Sequence, residues 1–73
     1  MTALPVVSGR QAVLAFERFG WTVDRHRGSH IILLKSGHRA TLSVPDHREL
    51  DRGTLRKLIR LTGLTVEEFV AQL

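Results

Sequence analysis

The sequence predicts an α+β fold, a three-stranded antiparallel sheet with helices on one face. Three observations lead there. Apolar residues recur at helical spacing between Ser8 and Gly20, the period changes to two from Trp21 to Val44 with glycines as interruptions, and helical spacing returns after Asp51. The connections between the alternating segments are short, as in hairpins.

Residues 1–7 read as a loose N-terminal segment. Ser8, followed three residues later by Gln11, forms a capping box that opens the first helix. Ala12, Val13, Phe16 and Phe19 line up as one apolar stripe. Gly20 suits the left-handed position after the last turn, with Trp21 packing back behind it. Trp21 and Val23 then alternate with Thr22 and Asp24, as in a strand covered on one face. Gly28 breaks that strand. Ser29 to Lys35 reads as a second strand, Ser36-Gly37 as a hairpin turn, and His38 to Val44 as a third strand with Ala40, Leu42 and Val44 on one face. Pro45 closes the sheet. Asp51 caps a second helix with Leu55, Leu58 and Ile59 inward and Arg56, Lys57 and Arg60 outward. Gly63 ends it, and Thr65 with Glu68 makes a further capping box for a short third helix whose Phe69, Val70 and Leu73 return to the core. With no repeat or linker, residues 1–73 read as a single domain.

Composition narrows the functional classes. The chain has no cysteine, which removes thiolate chemistry and zinc ribbons and fits a reducing cytoplasm. Its longest purely apolar run, Ile31 to Leu34, is far short of the roughly 20 residues that span a bilayer. The opening MTALPVVSGR lacks the charged-then-apolar order of an export signal. A soluble cytoplasmic protein with no membrane contact is expected. Eleven Lys and Arg against seven Asp and Glu give a net charge of +4, the balance of a small nucleic-acid binder or of a solvated basic surface.

The stretch RGSHIILL concentrates the chemistry. If Ile31 and Leu33 face the helices, then His30, Ile32 and Leu34 face the open side of the sheet, provided the strand is neither slipped nor bulged. Ser29 points the other way from His30, so the two do not form a nucleophile and its base. Of the four histidines, His26, His30, His38 and His47, none forms an i, i+4 pair on a helix or sits with clustered carboxylates, and no metal is expected. Gly-rich phosphate loops and serine elbows are absent. One reaction needs only an imidazole. RNA carries its own nucleophile, the 2′-hydroxyl, and His30 could take its proton or protonate the leaving oxygen without a cofactor. Arg25, Arg27, Lys35 and Arg39 are near enough in sequence to hold phosphates. The residues alone leave the alternative open: a structural histidine at a strand start, on a solvated basic face. Phe16, Phe19 and Trp21 read as core residues before base-stacking platforms.

SGRQAVLAFERFGW leading into RGSHIILL, then VPDH, then ELDRGTLRKLIRLTGLTVEEF, resembles the HicA-type toxins in order and spacing over nearly the whole chain. These are small messenger-RNA interferases of toxin-antitoxin pairs. The resemblance implies a double-stranded-RNA-binding-domain-like fold and metal-independent RNA cleavage, with the histidine of the Gly-Ser-His motif, here His30, as catalytic residue. It places Gly28 and Ser29 with the RNA-binding residues. It also implies a HicB-type antitoxin that covers the active surface, where Ile32 and Leu34 on the open face would meet it. Many members carry a second histidine after the first, where this chain has Ile31; His47, in the Pro-x-His position, reads as a turn-forming residue before a second catalytic group.

Two other functions fit parts of the chain. A non-catalytic module could hold double-stranded RNA by shape, with no use for a histidine. RGTLRKLIRLTGLTVEEF could instead be a DNA-binding helix-turn-helix with Leu61-Thr62-Gly63-Leu64 as its turn, although Glu67 and Glu68 near the start of the second helix would repel phosphates.

Overall fold

The computed structural model describes residues 2–73. Its elements run α1 (Gly9–Glu17), β1 (Thr22–Arg27), β2 (His30–Leu34), β3 (Leu42–Pro45), α2 (Arg52–Thr62) and α3 (Val66–Val70). The strands form one antiparallel sheet in the order β1-β2-β3. The fold is α+β, in agreement with the double-stranded-RNA-binding-domain-like architecture that the resemblance implies.

The local signals act as the sequence predicts. The Ser8 hydroxyl accepts from the Gln11 N–H at 3.0 Å while the Gln11 side chain accepts from the Ser8 N–H at 2.8 Å, so two donors at the start of α1 are satisfied reciprocally. Thr65 and Glu68 repeat this at α3, and Asp51 accepts from the Thr54 N–H to cap α2. Gly20 adopts φ +95°, and the next N–H, of Trp21, folds back onto the Phe16 carbonyl. That turn drives the Trp21 side chain into the core, where it is 2% exposed.

The core lies between the helices and one face of the sheet. Ala12, Val13 and Phe16 of α1 and Leu55, Leu58 and Ile59 of α2 enclose Ile31, Leu33, Leu42 and Val44. Phe69 of α3 reaches Phe16, with ring centroids 5.2 Å apart. Phe69 is fully buried and α3 is only five residues long. The second helix of the helix-turn-helix reading is therefore committed to the core.

Four expectations are corrected. β3 begins at Leu42, not His38, and its register with β2 is Leu33↔Leu42 and Ile31↔Val44. A tight hairpin at Ser36-Gly37 would have paired Leu33 with Ala40. The observed two-residue slip keeps the same residues inward while bringing larger side chains together, and leaves 38–41 irregular. β1 is not covered on one face: all six of its residues are exposed, because it is an edge strand, and a register shift between Val23 and Arg25 interrupts its alternation at Asp24. Residue 1 of the N-terminal segment lies outside the described residues; residues 2–7 form no regular element, yet they are not loose. Leu4 and Val7 belong to the core, and the Val7 carbonyl accepts from the Leu50 N–H at 2.8 Å. Leu73 lies beyond the end of α3 and is 53% exposed instead of returning inward. Among the described residues no helix is long and apolar enough to cross a membrane.

Candidate functional site

The Gly-Ser-His stretch is a two-residue hairpin loop. Arg27 pairs with His30 across β1 and β2, so Gly28 and Ser29 make the whole connection. Gly28 has φ +61° while Ser29 after it does not have positive φ, the combination of a turn with glycine at its first central position, which matches the right-handed twist of the flanking strands. An added Cβ at Gly28 would meet nothing within 4 Å, so glycine is required there by conformation and not by space.

His30 follows as the first residue of β2, and its side chain is exposed. Its cross-strand partners are Arg27 on one side and Pro45 on the other. Directly opposed residues have Cβ atoms about 5 Å apart, so the Arg27 guanidinium can reach any anion that His30 touches. No carboxylate pairs with Arg27 among the described residues.

The parity read from sequence holds for β2, since Ile31 and Leu33 are in the core and their neighbours face away from it. Arg25 pairs with Ile32 and Arg27 with His30, which gathers Arg25, Arg27, His30, Ile32 and Leu34 on one face. The expectation that both aliphatic residues are bare is corrected for one of them. Leu34, near the end of the strand, is 40% exposed, but Ile32 is 5% exposed. Ile32 sits mid-way along the central strand, with Arg25 and Ser43 opposed on its two sides and His30 and Leu34 two residues away, so neighbours crowd it even on the face turned away from the main core.

The remaining candidate cations separate. Arg25 engages the Asp24 carboxylate, so part of its charge is already offset. Lys35 lies five residues beyond His30, roughly 16 Å at the rise of a strand, and its stem passes beside Gly20 at the end of α1. Arg39 is exposed in the irregular segment before β3.

Sequence reasoning missed a cation that the fold brings in. A groove of about 350 Å³ runs from His30, Ser43 and Pro45 to α2, whose Thr54, Lys57, Leu58 and Leu61 form its far wall. These four recur at i, i+3, i+4 and i+7, one flank of the helix. That spacing is visible in the sequence, but which flank meets the sheet is set by packing against β3. The face carrying His30 is therefore open over β1 and β2 and walled at β3.

The other histidines lie elsewhere. The His38 ring sits edge-on to Trp21, centroids 5.3 Å apart. His26 lines a cavity with Val13, Leu14, Val23 and Ile31, on the helix side of the sheet. The His47 side chain is exposed and its carbonyl accepts from the Gly9 N–H at 2.9 Å. Between them Arg10 and Asp46 form a two-bonded ion pair, both bonds 3.1 Å. The hydrogen bond from Arg10 holds the Asp46 carboxyl below its ordinary value against an opposing desolvation, and the charges of Arg10, His26 and His47 add smaller effects in the same direction as the hydrogen bond. Among the described residues no three His, Asp or Glu side chains converge as a metal site would require.

The arrangement can transfer a proton beside a polyanion: an exposed imidazole, an unpaired guanidinium opposite it, and an ammonium across a groove. The family model described as the HicA toxin of bacterial toxin-antitoxin matches residues 9–64. That span covers α1 through the end of α2, the Gly-Ser-His turn and the groove. No curated protein matches the chain closely.

Proposed function

Because the chain belongs to the HicA family of toxins from bacterial toxin-antitoxin systems, we propose that it is an endoribonuclease that cleaves messenger RNA with His30, needs no metal ion, and is silenced by a HicB-like antitoxin laid over the His30 face. The observation that carries this reading is the placement of His30, exposed beside a fixed turn with Arg27 directly opposite.

In the proposed reaction the RNA 2′-oxygen forms a bond to the adjacent phosphorus as the bond from phosphorus to the 5′-oxygen breaks. His30 takes the proton of the 2′-hydroxyl or, when protonated, gives one to the departing oxygen, help worth roughly a hundredfold or more. Arg27 offsets charge gathering on the phosphoryl oxygens, and Arg25 and Arg39 bind more distant phosphates. The Gly28 and Ser29 backbone lets the strand pass close beneath them. Residues 1–73 act as one domain, in the cytoplasm where the substrate is.

The test is expression without a partner together with cleavage by the purified chain. Growth arrest and products ending in 2′,3′-cyclic or 3′-phosphate are expected, unchanged by EDTA. His30→Ala abolishes cleavage with little change in melting temperature, since its side chain is exposed, while His47→Ala loses less. Cleavage that survives His30→Ala, or stops in EDTA, overturns the reading.

A further inference from the structure

We infer that the groove between α2 and the His30 face seats one unpaired nucleotide of the RNA, with its phosphate on the Lys57 ammonium. The inference rests on RNA being the substrate and adds the form in which it is bound. Lys57 has no carboxylate partner among the described residues, on a helix that carries four cations, Arg52, Arg56, Lys57 and Arg60. Lys57 lines the groove together with Thr41, Ser43 and Thr54, residue types that bring a compact charge and several small donors and acceptors, which suits a phosphate and a ribose.

The opposite character of the wall completes the match. Pro45 and Leu61 present apolar surface to the same groove, and Leu61 is 39% exposed although it is a leucine on a helix beside the core. A nucleotide has this division, a flat base with apolar faces attached to a polar sugar and an anion. The groove volume of about 350 Å³ lies at the small end of the range for sites that enclose a small ligand, about 300–1,000 Å³. Double-stranded RNA is held across its shallow groove by shape and keeps its bases stacked inside the duplex. It would rest on the rim formed by α2 and leave the floor empty. A splayed nucleotide of a single strand can enter, and entry brings its phosphate between Lys57 and His30.

The experiment measures binding, so it does not depend on cleavage. The probe is a 2′-fluoro RNA octamer of mixed sequence, which lacks the nucleophile, used single-stranded and annealed to its complement. Dissociation constants are measured from low to moderate salt for the wild-type chain, Lys57→Ala, Lys57→Arg and Arg56→Ala. Arg56 is the charge-matched control, since it lies on the other flank of α2 beside Arg52 and Glu67. Lys57→Ala is expected to weaken single-strand binding several-fold and to reduce the logarithmic salt slope by about 0.7, the release expected from one lost phosphate contact. Lys57→Arg restores most of the slope, Arg56→Ala leaves it near wild type, and the duplex binds more weakly with little dependence on Lys57. Equal slopes for Lys57→Ala and Arg56→Ala, an equal effect of Lys57→Ala on duplex and single strand, or no single-strand binding by the wild type would each overturn the inference. If Lys57 passes this test and natural RNA is not cut, the ribonuclease reading fails and the groove stands. If RNA is cut but the Lys57 slope is unchanged, the reverse holds.

Discussion

The N–H of Asp46 donates a 2.7 Å hydrogen bond to the carbonyl oxygen of Ser29. Beside it Pro45 is the cross-strand partner of His30, so the end of β3 fixes the turn and the first residue after it together. The RGSH and VPDH segments thus meet in space. From the other side α1 presses close: a Cβ added at Gly9 would overlap the carbonyl oxygen of Pro45, and the Gly9 N–H binds the His47 carbonyl. Glycine at the start of α1 is what lets the helix, the end of β3 and the hairpin turn stack.

Gly9→Ala is expected to destabilise by about 1–3 kcal/mol, the cost of overpacking against backbone that cannot give way. For a domain of this size each kcal/mol lowers Tm by about 4–8 °C. The displaced Pro45 also moves His30, so chemical shifts at Ser29 and His30 change even though both are remote from residue 9 in sequence. A variant that melts with the wild type and leaves those shifts unmoved would show that the approach is looser than this.

The parts legible in the sequence were those decided locally. Ser8 with Gln11, Thr65 with Glu68 and the left-handed glycines Gly20 and Gly63 each act within one turn of chain, and each is found where the sequence placed it. The register of β3 was not legible, because a slip of two residues keeps Leu42 and Val44 on the same face and the alternation cannot detect it. Leu4 and Val7 were missed because their partners lie far along the chain. Lys57 was missed for the same kind of reason: an outward lysine on α2 becomes part of the groove only once α2 is set against β3. His30 was legible as a candidate, since its Gly-Ser approach and strand parity are local, but the crowding of Ile32 beside it depends on both neighbouring strands.

The Arg10–Asp46 pair makes a small acid-dependent contribution to stability. The carboxyl of Asp46 is held below its ordinary value of 3.8 in the folded chain by the hydrogen bond from Arg10. A lowered folded value means that the contribution is complete above the unfolded value and is lost as pH falls below it. Both groups are solvent-accessible, so the effect is screened and modest. Melting curves from pH 5 to about pH 3, spanning the ordinary carboxylate range, should show Tm falling more steeply for the wild type than for Asp46→Asn, with the difference shrinking in high salt. Parallel curves would mean that the pair contributes nothing to folding.

Ile32 and Leu34 share a face with His30 but differ in exposure, and the proposed antitoxin should read that difference. Leu34→Asp places a carboxylate where the side chain is 40% exposed, so the free chain should melt within a few degrees of wild type. Ile32→Asp forces a charge into a site 5% exposed and is expected to cost several kcal/mol, enough to unfold a domain this small. Ile32→Val is the usable probe there, at about 0.5–1.5 kcal/mol. Covering Leu34 would remove apolar area from water at about 25 cal/mol per Å², and acidic groups at the rim of the antitoxin would meet Arg27 and speed association. Leu34→Asp should therefore weaken antitoxin binding tenfold or more while Ile32→Val leaves it near wild type. Unchanged affinity for Leu34→Asp, measured on a chain that still melts normally, would place the antitoxin on another surface and leave His30 to be silenced from a distance.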